Sequence, residues 1–327
     1  MILAGDIGGT KTNLAYFDVE NGKLVAKQSK SYVSQEFPSL AAILKKFRSE
    51  FPGKLTASAF GIAGPVVNGH SHLTNLVWEI DREELKSELG VNAVELVNDL
   101  QATAYGTLHL ADSEKLKLQS GRQQQNGAIA VIAAGTGLGE GALVWDGKHY
   151  RAVASEGGHA DFSPRNELES SLLLFLAKKF GHVSWERILS GPGIVSLYEF
   201  FVEQSGSASP AWITAAFAHE DHAAVVSKAA MEGKDAACVK ALDLFVSLYG
   251  SEAGNLFLKF LGTGGVFVGG GIAPKILAKM KDGQFVRNFR AKGRFDAMLG
   301  EIPISVILND RIALVGAAHV ARVLSES

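Results

Sequence analysis

One pattern occurs twice in this chain and limits what the chain can fold into. Near the start, Ile2-Leu3-Ala4-Gly5 runs into Asp6-Ile7-Gly8-Gly9-Thr10-Lys11-Thr12 and then Asn13-Leu14-Ala15-Tyr16-Phe17-Asp18, and Asn21-Gly22 marks a hairpin. From Ala128, the run Ile129-Ala130-Val131-Ile132-Ala133-Ala134 leads into Gly135-Thr136-Gly137-Leu138-Gly139. The strand-like Ala142-Leu143-Val144-Trp145 follows, and Asp146-Gly147 marks a second hairpin. A strand, a glycine turn, a strand and an Asx-Gly hairpin, with helices after each copy, predict two similar α/β lobes facing a cleft.

Between the copies the chain reads as alternating elements. Leu40-Ala41-Ala42-Ile43-Leu44-Lys45-Lys46-Phe47 has helical spacing, and Ala57 to Gly64 reads as a buried strand. Asn68-Gly69 marks a hairpin before Leu73-Thr74-Asn75, and Glu83 to Leu89 is a helix closed by Gly90. The composition turns polar between Leu108 and Gly127, which places a domain boundary there. The expected division is a small α/β domain over 1–109 plus about 303–327, and a large, helix-rich one over 110–302. Past Glu167 the chain reads as mainly helical, broken by Ser205-Gly206-Ser207-Ala208-Ser209-Pro210. Near the end Gly265-Val266-Phe267-Val268 reads as a strand, followed by Gly269-Gly270-Gly271 and a helix with Pro274 in its first turn.

Composition narrows the function classes. The net charge of −2 argues against a nucleic-acid or anionic-membrane surface. The only cysteine, Cys238, excludes an intrachain disulfide and a Cys-ligated zinc site, and reads as a buried helical residue. No apolar run approaches the ~18 residues that span a bilayer. Met1-Ile2-Leu3-Ala4 meets Gly5-Asp6 without a basic start or a long apolar region, so the expectation is a cytoplasmic protein without a signal peptide.

The glycine turns match neither of two familiar loops. Thr10, not Gly, precedes Lys11, so the first is not a P-loop; a strand, not a helix, follows Gly135-x-Gly137-x-Gly139, so the second is not a dinucleotide fingerprint. A glycine turn between strands can still gather backbone N–H groups around a phosphate, with hydroxyls from Thr10, Thr12 and Thr136 and charge from Lys11. Two turns in equivalent positions point to nucleotide phosphates. Asp6, just before the first, suits Mg²⁺ held through water.

Ala93-Val94-Glu95-Leu96-Val97-Asn98-Asp99 is a strand that turns into the helix-favouring Leu100-Gln101-Ala102-Thr103-Ala104-Tyr105. Ligands of open α/β sheets bind at the carboxyl ends of strands, where Asp99 could take a proton from a hydroxyl that Asn98 orients. Read alone, Asp99 caps the helix; the phosphate turns and a polyol set elsewhere favour the base. That set is Glu156 and His159 in Glu156-Gly157-Gly158-His159-Ala160-Asp161, with Glu186 ahead of Leu189-Ser190-Gly191-Pro192-Gly193. The pairs His70/His72 and His219/His222 read as exposed residues of a hairpin and a helix, not as metal ligands.

Taken in order, these motifs resemble the bacterial glucokinases of the hexokinase/actin-like ATPase superfamily. The resemblance rests on Gly5-Asp6-Ile7-Gly8-Gly9-Thr10, Gly64-Pro65, Thr74-Asn75 with Trp78, Val97-Asn98-Asp99, Gly135–Gly139, Glu156–Phe162, Glu186–Gly193 and Gly265–Ile272. It implies an α/β, two-lobed actin-like ATPase (ribonuclease H-like) fold with duplicated mixed sheets, flanked by helices. It also implies glucose and MgATP between lobes that close on the sugar, and a homodimer. Asp99 is then the base on the 6-hydroxyl, and Asn98, Glu156, His159 and Glu186 hold the other hydroxyls. Phosphates fall at Gly8, Gly9, Thr10 and Lys11 and at Gly135, Thr136, Gly137 and Gly139; the nucleoside falls near Gly269, Gly270 and Gly271. The related ROK kinases and repressors share the Glu-x-Gly-His pattern but carry a cysteine-rich zinc motif after it, and the repressors an amino-terminal helix-turn-helix. Both are absent here, which points to the non-ROK group. Two alternatives stand beside a glucose kinase: a kinase for mannose, fructose or an N-acetylhexosamine, and a non-catalytic sugar sensor or actin-like nucleotide switch.

Overall fold

The computed structural model describes residues 1–73 and 76–326, so Thr74 and Asn75 lie outside the described residues. The chain divides into two compact units. One comprises Met1–Glu114, Asp146–Ala154 and Asn309–Ser327; the other comprises Lys115–Trp145 and Ser155–Leu308.

In the first unit, strand Ile2–Ile7 pairs antiparallel with Lys11–Glu20, which pairs antiparallel with Lys23–Val33. On its other side Ile2–Ile7 lies parallel to Ala57–Ile62, and that strand lies parallel to Val94–Asn98. The Asn21-Gly22 hairpin forms as expected, with both residues at positive φ (51° and 75°). Both faces of the sheet are covered. Helix Leu40–Glu50, capped by the Ser39 hydroxyl, buries Leu40, Ile43, Leu44 and Phe47 at helical spacing beside Leu3, Ile7 and Phe60. On the opposite face, helix Ile312–Ser325 lays Leu314, Ala317, Ala318 and Ala321 over Ile2, Ala4, Ala57 and Ala59. Small side chains let it approach closely. Gly316 faces the Ala102 carbonyl and the Gly106 amide so tightly that a Cβ there would overlap backbone.

The second unit repeats that plan. Strand Ile129–Ala134 pairs antiparallel with Leu138–Trp145 and parallel with Val266–Gly269. Val266–Gly269 in turn lies parallel to Ile304–Ile307, and Lys115–Gln119 adds an antiparallel strand beyond it. An antiparallel hairpin on one side of a central strand and parallel strands on the other thus occur in both units, as the repeated motif predicts. The second glycine turn is tighter than expected: it spans Gly135 to Gly137, closed by the Gly135 N–H on the Gly137 carbonyl at 2.9 Å. Leu138 and Gly139 already belong to the ladder, opposite Ala134 and Ala133, so Gly139 is a strand residue.

The larger core is built by helix Gln284–Arg290, which buries Phe285 and Phe289, together with Glu167–Phe180, Gly191–Ser205, Ala211–Phe217, His222–Met231 and Ala236–Phe260. The last of these is buried along most of its length, Cys238 included. Its Tyr249 hydroxyl accepts the Ala134 N–H at 3.0 Å and so ties the helix to the strand end that precedes the glycine turn. The segment with Pro274 starts as a 3-10 turn, Ala273–Ile276, before the short helix Leu277–Met280.

Candidate active site

Asp6 and Asn98 come to the same edge of the first sheet because the parallel registers pair Asp6 with Gly61 and Ile62 with Asn98. Gly61 is required between them: a Cβ there would press on the Ala102 methyl at 2.8 Å. Its absence lets helix Asp99–Gly106 start directly over the sheet. The helix cap is Asn98, not Asp99. The Asn98 Oδ1 accepts the Leu100 N–H at 2.9 Å, and Gln101 Oε1 accepts the Asn98 N–H at 3.0 Å, a reciprocal capping box. Asn98 Nδ2 also donates to the Gly64 carbonyl at 3.0 Å, which fixes the amide's orientation.

Asp99 is therefore the first helical residue, with Oδ1 sharing the Leu100 N–H at 2.8 Å. Burial pushes its carboxyl up to about 6, and the charge of Asp6 adds to the rise while the Leu100 N–H opposes it. Burial raises Asp6 as well, against a hydrogen bond from Asn13 Nδ2 at 3.1 Å. The first glycine turn stands beside this pair. The Gly8 N–H donates to the Lys11 carbonyl at 3.0 Å and the Ser34 hydroxyl donates to the Gly8 carbonyl at 2.7 Å, so the loop is braced from beneath. Thr10 and Lys11 are exposed.

In the second unit the structure brings Glu156, His159 and Glu186 together. The His159 ring lies between two carboxylates, with Nε2 3.9 Å from Glu156 and Nδ1 3.9 Å from Glu186. Both glycines before His159 are needed for this. A Cβ on Gly158 would overlap the Leu138 carbonyl, and one on Gly157 would overlap the Glu140 carboxyl. Glu186 reaches further: its Oε2 accepts the Leu138 N–H at 2.9 Å and fills the space over Gly137. The Gly135–Gly137 turn and the cluster around His159 therefore share a side chain.

Next to that turn, Ser190 caps helix Gly191–Ser205, and the Gly191 N–H donates to the Gly135 carbonyl at 2.8 Å. A helix amino terminus thus sits beside a glycine turn, an arrangement suited to anions. A cavity of about 1200 Å³ opens there, lined among others by Thr136, Arg187, Pro192, Gly271 and Lys275. Gly270 holds φ +81° where a Cβ would overlap the Ala134 carbonyl, which lets Gly271 line the cavity. In its lining the acids Asp221 and Glu232 are outnumbered by the cations Lys179, Arg187, Lys228 and Lys275. They come from four separate segments without a shared motif, and no sequence signal singles them out. The paired histidines have other partners: His70 meets Asp81 at 2.8 Å, and His222 stacks on Phe217 with its Nε2 2.9 Å from the Phe217 carbonyl.

Two mixed sheets that share one strand order around a central strand, each with a glycine turn after that central strand, and a carboxylate at a strand end define a sugar kinase of the actin-like ATPase fold. Among solved structures, a glucokinase from an Antarctic psychrotroph is similar to this chain with a TM-score of 0.89 and 33% identity, over 98% of each chain. A Streptomyces griseus ROK family glucokinase, solved with glucose and AMPPNP, shares the fold at a TM-score of 0.63 and 21% identity, over 98% of this chain and 99% of that one. The glucokinase family model matches residues 3–324, and the chain belongs to the glucokinase family. The glucokinase of a Nostoc species is 44% identical over 97% of this chain and 98% of its own length. That of Cronobacter sakazakii is 35% identical over 99% and 98%. The chain is an enzyme that phosphorylates glucose with ATP. Among the described residues, no helix is long and apolar enough to cross a membrane.

Proposed function

We propose that the chain transfers the γ-phosphoryl group of ATP to the 6-hydroxyl of D-glucose, with Asp99 as general base. The observation that carries this is the Asp99 carboxyl, fixed at the first turn of its helix with its proton affinity raised to about 6. At pH 7 such a group is mostly ionised, yet basic enough to accept a hydroxyl proton late in the transfer. Asn98 and Asp99, with Glu156, His159 and Glu186, hold the sugar hydroxyls. The braced turn Gly8-Gly9-Thr10 with Lys11, and Gly135-Thr136-Gly137 with the amino terminus of helix Gly191–Ser205, receive phosphate oxygens. The cavity beside Gly269-Gly270-Gly271 takes the nucleoside.

Asp6 suits Mg²⁺ held through water: its carboxylate has one side-chain donor, Asn13, and a like charge nearby in Asp99. When bound, the ion supplies charge neutralisation on the phosphates. We take the unit that begins at Met1 as the small domain and the helix-rich unit as the large one. We also take the active form to be a homodimer, as the resemblance implies, and its location to be the cytoplasm.

The test is MgATP-dependent ADP release with a panel of hexoses and a no-sugar blank. Activity on glucose with a silent blank is the expected result. Activity on mannose, fructose or an N-acetylhexosamine in place of glucose would overturn the choice of sugar, and ATP binding without turnover on any sugar would favour a sensor.

A further inference from the structure

We propose that Glu140 is a positioning residue for the turn that presents Glu156 and His159. Its buried carboxyl takes the space that Gly157 leaves free and sets the height of that turn above the sheet. The inference rests on the reading that Glu156 and His159 hold the sugar.

Glu140 lies in strand Leu138–Trp145, opposite Ile132, and is only 1% exposed. Neither of its carboxyl oxygens has a well-formed hydrogen bond among the described residues; the polar groups that approach it are the Glu252 carboxyl and the Lys259 ammonium. A buried carboxyl without well-formed hydrogen bonds is costly, so packing alone is a poor reason for a glutamate here. The carboxyl also touches the turn. Oε2 occupies the place where a Gly157 side chain would begin, and the Leu138 carbonyl does the same under Gly158. Alternate residues of one strand thus support consecutive glycines of the turn, immediately before His159.

The carboxyl is held from behind by one helix. Lys259 Nζ lies 3.9 Å from Glu140 Oε2 and 3.1 Å from Glu252 Oε1, and Asn255 Nδ2 donates to Glu252 Oε2 at 2.7 Å. Glu252 is fully buried, so two carboxyls share one ammonium. Burial and the Glu252 charge push the Glu140 carboxyl up, and Lys259 offsets part of that rise.

A double-mutant cycle in the full-length enzyme tests this, read as KM for glucose against KM for ATP, with melting curves to confirm that each variant is folded. Glu140→Ala and Gly157→Ala should each raise the glucose KM about tenfold and leave the ATP KM within about twofold. In the double variant the new methyl takes the vacated space, and the glucose KM should return to within about threefold of the parent. Glu140→Gln, which keeps the shape, should stay within that same range. Effects that multiply in the double variant, or an ATP KM that rises with the glucose KM, would overturn the positioning role. Glu156→Gln and His159→Ala separate the two readings. If both leave the glucose KM unchanged, the sugar-holding reading fails; if both raise it while the cycle multiplies, only the role of Glu140 fails.

Discussion

The Oε2 atom of Glu186 accepts the backbone N–H of Leu138 at 2.9 Å, at the end of the Gly135–Gly137 turn. The other oxygen of the same carboxylate stands 3.9 Å from the His159 ring. One side chain thus braces the turn that we assign to phosphate and the cluster that we assign to sugar. Glu186→Ala should raise the KM of both substrates, glucose by tenfold or more and ATP by at least about threefold, since a charge-assisted hydrogen bond contributes about 1.5–3 kcal/mol. Glu156→Gln should raise only the glucose KM. Steady-state kinetics with each substrate varied in turn checks the contrast; an unchanged ATP KM in Glu186→Ala would break the proposed link.

Acid should switch off turnover before it unfolds the site. The Asp99 carboxyl titrates near 6, above its ordinary range, because burial disfavours its charge. The base form is lost as pH falls through that value, so kcat should drop about tenfold for each pH unit below it. A kcat profile between pH 5 and 8 reads this directly.

The same shift has a stability consequence of the opposite sign. A carboxyl raised in the folded state costs stability above its folded pKa and nothing below its unfolded one. Asp99→Asn keeps an acceptor for the Leu100 N–H and removes the charge. Its Tm at pH 7.5 should equal or exceed the parent's, by up to about 4 °C, and the difference should vanish near pH 4.

Behind the helix that carries Asp99, two imidazoles are paired. His109 Nε2 lies 2.9 Å from His319 Nδ1, and the Tyr105 ring stacks on His319 at 5.3 Å. Burial first, then the positive charge that His109 and Arg322 can carry, lowers His319 to about 3, so it is neutral in the folded enzyme. A depressed histidine favours the unfolded state as pH falls below 6.5, which amounts to about 2 kcal/mol at pH 5. Urea unfolding at pH 7.5 and pH 5 should show that loss, and His319→Gln should remove most of the difference.

Gly316 has no room for a methyl. The Ala102 carbonyl and the Gly106 amide occupy the place of its Cβ, and both belong to the helix that starts at Asp99. Gly316→Ala should destabilise by about 3 kcal/mol or more and lower the Tm by at least 6 °C, measured by calorimetry.

What could be read from the sequence was local. Asn21-Gly22 and Asn68-Gly69 form hairpins because both residues of each pair accept positive φ, and Gly90 ends its helix in the left-handed region. The duplicated strand and glycine turn were visible because their spacing repeats. Asn98 and Asp99 were legible as a strand end, but their division of labour was not: Asn98 is the cap because Gln101 completes the capping box, while Asp99 becomes the first helical residue and only shares the Leu100 N–H. The alternation of Leu138–Trp145 marks a strand, yet a glutamate between two glycines gives no sign that it is buried. Lys179, Arg187, Lys228 and Lys275 were hidden for a different reason, since only tertiary packing gathers them around one cavity.

The central claim is that Asp99 takes the proton from the sugar, and the most direct measurement is glucose-dependent turnover of Asp99→Asn beside its affinity for ATP. Removing a general base costs about 10²–10⁴-fold. With Asp99 as the base, kcat falls at least a hundredfold while ATP is bound as tightly as by the parent. A kcat within tenfold of the parent would contradict the claim.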